Sequence, residues 1–255
     1  MKKKYYILTA VIAYFTFLLA TIPAQFITSM IGEKSQVTMQ GVSGTLWSGK
    51  AYLLSANNTT QFYNTEWSLS VWKLLIGKVA ADITTQFAGN DIETEIGTSF
   101  LGRYFINDLS GKIAANDFAQ LAAIPLAQIS GLISLNIEHA QWKQGELPTA
   151  SGEIKWKDAA VTVVDTASLG DVSITLGESE QQLLIAEIKN QGGDIKIEGK
   201  IELVPEADYS LDLRLTPSAS ANNNIKQSLG MFAKKQTNGE YHLKKSGSLN
   251  QIGFL

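Results

Sequence analysis

“YSLDLRLTP”, residues 209–217, alternates strictly between apolar and polar side chains. The apolar side chains take every second position and share one face of an extended chain: Tyr209, Leu211, Leu213 and Leu215. The polar side chains between them share the other face: Ser210, Asp212 and Arg214. A period of two residues is typical of a strand with one buried and one solvated face. The segment therefore predicts a half-buried β-strand.

The same alternation recurs along the chain. It is present in “DVSITLGE” (residues 171–178) and “DIKIEGKIEL” (residues 194–203), and further strands are predicted at residues 133–137, 152–156 and 241–249. Turn-forming residues separate these segments at residues 191–194, 204–209 and 237–240. Glycine, proline and asparagine at such places favour tight connections between neighbouring strands. The pattern predicts a mainly β protein built on a curled antiparallel sheet.

Two segments depart from the strand period and predict short helices. In “NIKQSLGMFAKK” (residues 224–235), Ile225, Leu229 and Phe232 follow at helical spacing behind Asn224, a residue type that caps helices. “DFAQLAA” (residues 117–123) is the second candidate. Both helices are minor parts of the predicted sheet protein.

The composition bounds the chemistry that the chain can perform. With 45% apolar and 18% charged residues in 255, the chain can build a globular core. It contains no cysteine, which excludes disulfides, a thiolate nucleophile and cysteine-based zinc or iron–sulfur sites. The net charge of -3, without a basic cluster beyond the N-terminus, argues against a nucleic-acid partner.

A long uncharged segment follows the basic N-terminus. Residues 2–4 are lysines, whereas residues 5–32 contain no charged side chain and residues 5–22 are mostly apolar. A transmembrane helix needs about 20 mostly apolar residues, so residues 1–30 predict a cytoplasmic tip followed by a membrane anchor. The positive-inside rule then places residues 31–255, as a β-rich domain, outside the cytoplasm.

A cleaved signal peptide is the alternative interpretation of the same segment. Its apolar region is usually about 7 to 15 residues long and ends at an A-x-A-like site. Here Pro23 and Ala24 offer a poor match, because Ile22 stands at the minus-three position. We therefore expect an uncleaved anchor.

“GTLWSGKA” (residues 44–51) comes within one residue of a nucleotide-binding loop. That loop needs a Ser or Thr hydroxyl for magnesium at the position of Ala51, and it must open a helix. The residues that follow have no helical period. Gly44 instead belongs to a series of glycines that open or interrupt predicted strands, in “SGTL”, “SGKI”, “SGLI”, “SGEI”, “EGKI” and “SGSL”. We expect these glycines to mark bends and close approaches of a sheet, and we expect no nucleotide and no other cofactor.

The two halves of the chain show a similar order of motifs. Residues 44–67 resemble residues 131–156, and “GKVAADI” and “GNDIETE” in the first half parallel “GDVSITL” and “GGDIKIE” in the second. This order predicts a tandem duplication, with halves 31–128 and 129–255. The alternative is that any antiparallel sheet repeats its glycine turns.

Residues suited to catalysis or metal binding are few. His139 and His242 are the chain's 2 histidines, and neither has a partner at metal-ligand spacing. Each is expected at a solvent-side position of a strand. The carboxylate pairs Glu93/Glu95 and Glu178/Glu180 each share one strand face, which they are expected to keep solvated. We therefore expect no enzyme and no metal site.

Tryptophans and glycines supply the remaining candidates. The 5 tryptophans lie in predicted strands or near their ends, where they can belong to a core, to a rim, or to a groove for lipid or peptide. The candidate structural or groove residues are Gly44, Leu46, Trp47, Gly49, Trp67, Trp72 and Trp156.

“GVSGTLWSGKA” (residues 41–51), directly after an N-terminal anchor, resembles the type II, or general, secretion pathway protein N family. Further elements stand in the family's order: “W-x-L … L-L-x-G-K” at residues 67–78, “G-x-L-x-W” near residues 152–156, “G-G-D-I-x-I-x-G-x-I-x-L” at residues 192–203 and “N-G-x-Y-x-L-x-x-x-G-x-L” near residues 238–249. At residue 154 this chain has isoleucine where that pattern has leucine.

The resemblance implies a single-pass protein of the bacterial inner membrane with a cytoplasmic N-terminus and a periplasmic β domain. It implies a non-enzymatic accessory subunit that supports export of folded proteins across the outer membrane through contacts with other secretion-system subunits. The stretch at residues 66–78 is also similar to AsmA-like envelope proteins, so the alternative function is a periplasmic lipid-binding or lipid-handling module.

Overall fold

The computed structural model describes residues 2–26, 37–56, 60–121, 128–162, 165–181, 183–204, 208–219 and 221–248. Its helices are α1 (Lys2–Ala20), α2 (Val71–Leu75), α3 (Ala115–Leu121) and α4 (Asn223–Phe232). Its first strands are β1 (Val37–Gln40), β2 (Ser43–Gly44), β3 (Ser48–Ala56), β4 (Thr60–Leu69), β5 (Lys78–Phe87) and β6 (Asn90–Ser99). The others are β7 (Tyr104–Ala114), β8 (Gln128–Trp142), β9 (Thr149–Thr162), β10 (Thr166–Glu178), β11 (Leu184–Gln191), β12 (Ile195–Val204), β13 (Asp208–Pro217), β14 (Lys234–Lys235) and β15 (Tyr241–Ser248).

The chain divides into two compact units, unit 1 (Met1–Phe100) and unit 2 (Leu101–Leu255). In unit 1 the strands run in the order β1-β3-β4-β5-β6, with β2 paired to β3. In unit 2 the order is β7-β8-β9-β10-β11-β12-β13-β15-β14. The pairs within each unit are antiparallel, as short connections between successive strands require. The prediction of a mainly β, antiparallel protein is confirmed.

The predicted domains rest on a membrane anchor and on a duplication, and not on compact packing. Residues 27–36, where the anchor was expected to give way to the β domain, lie outside the described residues. The halves 31–128 and 129–255 stay a prediction, because compact packing and common ancestry are different properties.

The alternation in residues 209–217 arises, as predicted, from a strand whose apolar side chains share one face. In β13, Leu213 pairs with Leu243 of β15, and Leu215 pairs with Tyr241, so the apolar side chains of neighbouring strands share one face. Helix α4 covers part of this face and buries Ile225 against Leu215 and Tyr241. The core of unit 2 lies between the sheet and this helix.

The predicted strands and turns fall where the period places them. The turn expected at residues 191–194 joins β11 to β12, and the turn at residues 237–240 joins β14 to β15. Residues 205–207, within the third predicted turn, lie outside the described residues, as does Leu249 at the end of the last predicted strand.

Two details of the α4 prediction are wrong. The capping residue is Asn222, whose side chain accepts a hydrogen bond of 2.8 Å from the backbone N–H of Ile225, whereas Asn224 donates to Asp165 at 2.6 Å. The helix ends at Phe232, because residues 234–235 form β14. The side chain of Phe232 is exposed. A helix at residues 117–123 is confirmed as α3, although Ala122 and Ala123 lie outside the described residues.

Gly131 shows how the predicted glycine positions act in the sheet. Its φ of 111° lies in a region that L side chains rarely adopt. A Cβ atom there would stand 2.7 Å from the carbonyl oxygen of Asp158 on the adjacent strand. The pairing of β8 with β9 shifts register between Ser130 and Leu132, so this glycine marks a bulge, as expected.

The N-terminal segment is helical, as predicted. The described side chains of α1, from Tyr5 to Ala20, are exposed, including large apolar ones such as Phe15 and Phe17. In the part of the chain that the structure describes, no helix combines the length and the apolar character that crossing a bilayer requires. The helix is therefore confirmed, and its role as a membrane anchor is not.

Candidate functional site

Residues 44–51 form a tight hairpin. Gly44 in β2 pairs with Gly49 in β3, and the backbone N–H of Thr45 donates to the carbonyl of Ser48 at 2.9 Å to close the turn. Lys50 continues into β3, so the segment is followed by a strand and not by the helix that a phosphate-binding loop would open. The interpretation of these glycines as part of a sheet is confirmed.

This hairpin holds the end of the N-terminal helix. The backbone N–H of Leu46 donates to the carbonyl of Ile22 at 2.8 Å, and the indole N–H of Trp47 donates to the carbonyl of Leu19 at 2.7 Å. The backbone N–H of Ala24 donates in turn to Gly44 at 3.1 Å. The last carbonyls of a helix have no partner within the helix, so the indole satisfies one of them. We call this arrangement, residues 19–24 with residues 44–47, the helix–sheet joint.

Trp67 is the apolar centre beneath the helix–sheet joint. It is 8% exposed and packs with Ala24 and Ala51, while its indole N–H donates to the carbonyl of Leu46 at 3.2 Å. The alanines and the neighbouring glycine leave the room that the ring needs. A Cβ atom at Gly49 would stand 2.5 Å from the Trp67 ring. The joint is therefore shaped by small residues on β3 facing one large residue on β4.

The structure brings five of the seven candidate residues together. Around the helix–sheet joint lie Gly44, Leu46, Trp47, Gly49 and Trp67.

The other two candidates lie elsewhere. Trp72 projects from α2 with 80% of its surface exposed. Trp156 belongs to unit 2, where its indole donates to the carbonyl of Ser130 at 2.9 Å and its ring packs against the core. The function of the seven residues as a groove stays a prediction.

Helix α2 is held in place by a backbone hydrogen bond just before it and by an ion pair to β6. The backbone N–H of Leu69, just before the helix, donates to the carbonyl of Trp47 at 2.7 Å. Within the helix, the ammonium group of Lys73 forms an ion pair with the carboxylate of Glu95 on β6. The side chain of Glu95 is only 11% exposed, so the expectation that Glu95 keeps its strand face solvated is wrong. Its partner comes from a helix that the strand period does not reveal.

The polar side chains of unit 2 form a second surface, on the face opposite to α4. We call it the charged face. Its residues are Glu153, Lys155, Glu187, Lys189, Glu198, Lys200, Asp212, Arg214, His242 and Lys244. Opposite charges stand directly across from each other on neighbouring strands, in the pairs Lys189/Glu198, Glu198/Arg214, Lys200/Asp212 and Asp212/Lys244. Such cross-strand pairs stabilise a sheet.

Asp212 is the most heavily hydrogen-bonded acid of the charged face. It accepts from the His242 ring at 2.5 Å and lies 3.1 Å from the Lys244 ammonium. The hydrogen bond from His242, and then that from Lys244, hold the pKa of Asp212 below its ordinary value of 3.8. His242 therefore lies at a partly exposed strand position, as expected, but it has a carboxylate partner that the local sequence did not reveal. His139 likewise contacts Asn107, at 2.6 Å.

Two cavities of about 630 Å³ each open on the charged face. Lysine, glutamate, aspartate and arginine side chains contribute much of both walls. The continuous apolar groove that the lipid-handling alternative requires stays a prediction. Within the described segments, no group of three or more His, Asp or Glu residues is arranged to hold a metal ion.

The comparison with known families agrees with the motifs around the helix–sheet joint. The family model described as “Type II secretion system (T2SS), protein N” matches residues 35–244, which include the hairpin, α2 and most of unit 2. The chain belongs to the type II secretion system protein N family. The resemblance inferred from the sequence is confirmed.

Two curated members of the protein N family are similar to the chain over most of its length. Type II secretion system protein N of Aeromonas hydrophila is 27% identical over 250 residues, covering 93% of this chain and 95% of the relative. The protein of the same name from Vibrio cholerae serotype O1 is 21% identical over 235 residues, covering 89% of this chain and 91% of the relative. No solved structure matches the chain. Family membership supports an accessory role in type II secretion.

Proposed function

We propose that the chain is a non-enzymatic inner-membrane subunit of the type II secretion system, anchored by α1 and acting in the periplasm through protein contacts. The observation that carries the proposal is the helix–sheet joint. A helix whose residues 5–20 are uncharged and exposed is bonded at its C-terminal end directly to the β2–β3 hairpin of unit 1.

The exposed surface of α1 supports the anchor. The side chains from Tyr5 to Ala20 are uncharged and uncovered, and apolar surface of that extent in water is unfavourable. A bilayer would remove it from water. Because Lys2, Lys3 and Lys4 are the first residues of the helix and precede its apolar part, the positive-inside rule assigns the N-terminus to the cytoplasm and the two β units to the periplasm.

The helix–sheet joint gives the anchor a mechanical role. Hydrogen bonds from residues 44–47 fix the end of α1 against the sheet, so unit 1 is held at a defined position by the membrane. A joint of this kind gives unit 1 a constant orientation relative to the end of α1. The charged face of unit 2 is the surface that we assign to those partners, since its alternating charges favour one register of a complementary protein.

The test is deletion of the gene in the host bacterium, followed by complementation. We expect secreted proteins to accumulate in the periplasm of the deletion strain. The full chain should restore secretion, and so should a chain in which residues 2–20 are replaced by an unrelated single-span helix. A chain carrying a cleavable signal peptide in place of α1 should fail, because it is released from the membrane.

Each result bears on one part of the proposal. Unchanged secretion in the deletion strain would remove the accessory role. Restoration by the released chain would remove the need for an anchor while leaving the role in secretion. Extraction of the full chain from membranes by alkaline carbonate would show directly that α1 does not span the bilayer.

A further inference from the structure

Five large apolar side chains of unit 1 are exposed together. They belong to α2 and to the residues that directly follow α2 and β6, and their exposed fractions lie between 54 and 80%: Val71, Trp72, Leu75, Ile76 and Phe100. We call them the apolar rim. Isolated exposed apolar residues are common, but a cluster of this kind marks an interaction surface.

The apolar rim is a fixed part of unit 1. The backbone N–H of Phe100 donates to the carbonyl of Gly77 at 2.9 Å, and the ring of Phe100 would lie 3.6 Å from a Cβ atom at Gly77. The Lys73–Glu95 ion pair holds the middle of α2 against β6. The rim therefore keeps its shape when the protein is free of partners.

The apolar rim lies at the sheet end to which α1 is attached. This end is marked by the strand pairs Ser48 with Ser68, Leu69 with Ala81, and Lys78 with Ser99. Two hydrogen bonds connect α1 to α2 across it: Trp47 donates to Leu19 of α1, and Leu69, just before α2, donates to Trp47. Neighbouring strands are about 4.8 Å apart, so α2 begins roughly 10 Å from the end of α1.

The position of the apolar rim suits a membrane surface. The headgroup layer on each side of the hydrocarbon core is about 5 to 8 Å thick. If the end of α1 lies at the boundary of the hydrocarbon core, the rim lies within the headgroup layer when the sheet end runs parallel or oblique to the membrane, because the separation of roughly 10 Å then adds less than about 8 Å of height. Tryptophan is enriched at this depth, where its ring is apolar and its N–H remains hydrated.

The side chains of the segment fit the same occupant. The ammonium group of Lys73 is paired with Glu95, and the segment “VWKLLIGK”, residues 71–78, exposes mainly apolar side chains, with Trp72 among them. Exposed aliphatic side chains beside a tryptophan are typical of segments that lie at a membrane interface. The occupant favoured by position and side-chain type is therefore the bilayer that holds α1.

We propose that the apolar rim enters the periplasmic headgroup layer of that bilayer and gives unit 1 a second contact with the membrane. The inference rests on the proposed anchoring by α1. Two contacts, one through the helix and one through the rim, would fix the tilt of unit 1 as well as its distance from the membrane.

The absence of cysteine permits a direct test with single-cysteine variants of the full chain. Ile76→Cys places a nitroxide label on the apolar rim. Ala88→Cys places the matched control label in the exposed turn between β5 and β6, at the opposite end of the same strands. That turn is roughly 30 Å from the rim, given about 3.3 Å per strand residue. Both variants are reconstituted into vesicles of phosphatidylethanolamine and phosphatidylglycerol.

Spin-relaxation measurements compare collisions of each label with oxygen, which concentrates in lipid, and with a water-soluble nickel chelate. We expect the label at position 76 to collide at least 3-fold less often with the chelate than the label at position 88, and more often with oxygen. Leu75→Cys should behave like Ile76→Cys.

Three results would overturn the inference in distinguishable ways. Equal exposure of both labels to the chelate, with the chain still retained by the vesicles, would remove the rim contact and leave the anchor. Protection of position 76 from both reagents would show that the rim packs against protein, such as a second copy. A chain that the vesicles do not retain would remove the anchor and the rim contact together.

Discussion

Replacing Trp67 by alanine tests whether this ring is the centre of the core beneath the helix–sheet joint. Trp67 is 8% exposed, so about 180 Å² of a tryptophan surface of about 200 Å² leaves water on folding. At about 25 cal/mol per Å² this burial corresponds to about 4.5 kcal/mol. The hydrogen bond to Leu46 contributes about 1 kcal/mol more, and substitutions of buried tryptophan by alanine generally cost about 3 to 5 kcal/mol.

Trp72→Ala is the matched control, because the substitution is the same and the side chain is 80% exposed. Only about 40 Å² of its surface is buried, which corresponds to about 1 kcal/mol. We therefore expect the loss in the free energy of unfolding to be about 4 times as large in Trp67→Ala as in Trp72→Ala. Trp67→Phe keeps a ring but loses the indole N–H, so its free energy of unfolding should lie between those of the two alanine variants.

The assay is guanidinium unfolding of the full chain in detergent micelles, followed by far-ultraviolet circular dichroism. The free energy is extrapolated linearly to zero denaturant. In a thermal scan of a chain of this size, about 4 kcal/mol corresponds to a midpoint lowered by roughly 8 to 16 °C. Equal losses for Trp67→Ala and Trp72→Ala would refute the role of Trp67 in the core.

Three further predictions use the same unfolding measurement. Gly49→Ala should cost about 1 to 3 kcal/mol, because its new methyl group meets an indole ring, whereas Gly177→Ala, with open space around it, should change stability by less than about 0.5 kcal/mol. Asn222→Ala should cost about 1 kcal/mol through the lost helix cap, and Asn224→Ala clearly less; equal losses would contradict the assigned cap. Asp212→Asn should destabilise the chain near neutral pH. Because folding lowers the pKa of Asp212, its carboxylate contributes fully to the free energy of unfolding above pH 3.8, and this contribution is lost as the pH falls through the folded-state pKa. The difference in the free energy of unfolding between Asp212→Asn and the parent chain should therefore disappear in acid.

The strands could be predicted from the sequence because their signal is local. A period of two residues fixes which side chains share a face, and in β13 the partners Leu243 and Tyr241 follow from the same rule applied to β15. The choice of cap for α4 could not be predicted in the same way. Three consecutive asparagines, Asn222 to Asn224, are equally suited by residue type, and which one caps depends on where the chain leaves β13.

The helix–sheet joint shows the same division between local and distant information. The glycines of the hairpin were identified as features of a sheet from the residues around them. The bond from Trp47 to Leu19 joins residues far apart in the chain, and so does the pair of Lys73 with Glu95. Alternation describes one strand at a time, and it contains no information about a helix that later covers that strand. The ion pair and the joint therefore required the three-dimensional structure.

The duplication hypothesis gains one observation that a simple recurrence of glycine turns does not explain. In unit 1 the indole of Trp67 donates to the carbonyl of Leu46, near the start of the preceding strand, and in unit 2 the indole of Trp156 donates to Ser130 in the same way. Each indole also faces a glycine at which a Cβ atom would collide with it, Gly49 and Gly131 respectively, although these glycines hold different positions in the match of residues 44–67 with residues 131–156.

The correspondence between the units ends after the next strand. “GKVAADI” lies at β5 and “GDVSITL” lies in β10, each directly after the strand that carries the bonded tryptophan, apart from α2 in unit 1. Beyond that point Gly89 joins β5 to β6, whereas Gly192 joins β11 to β12, so unit 2 has one additional strand before the matching turn. A duplicated unit with a later strand insertion accounts for both the shared indole bonds and the changed strand count. Independent glycine turns account for the turns alone, so the indole bonds favour the duplication, which stays a prediction.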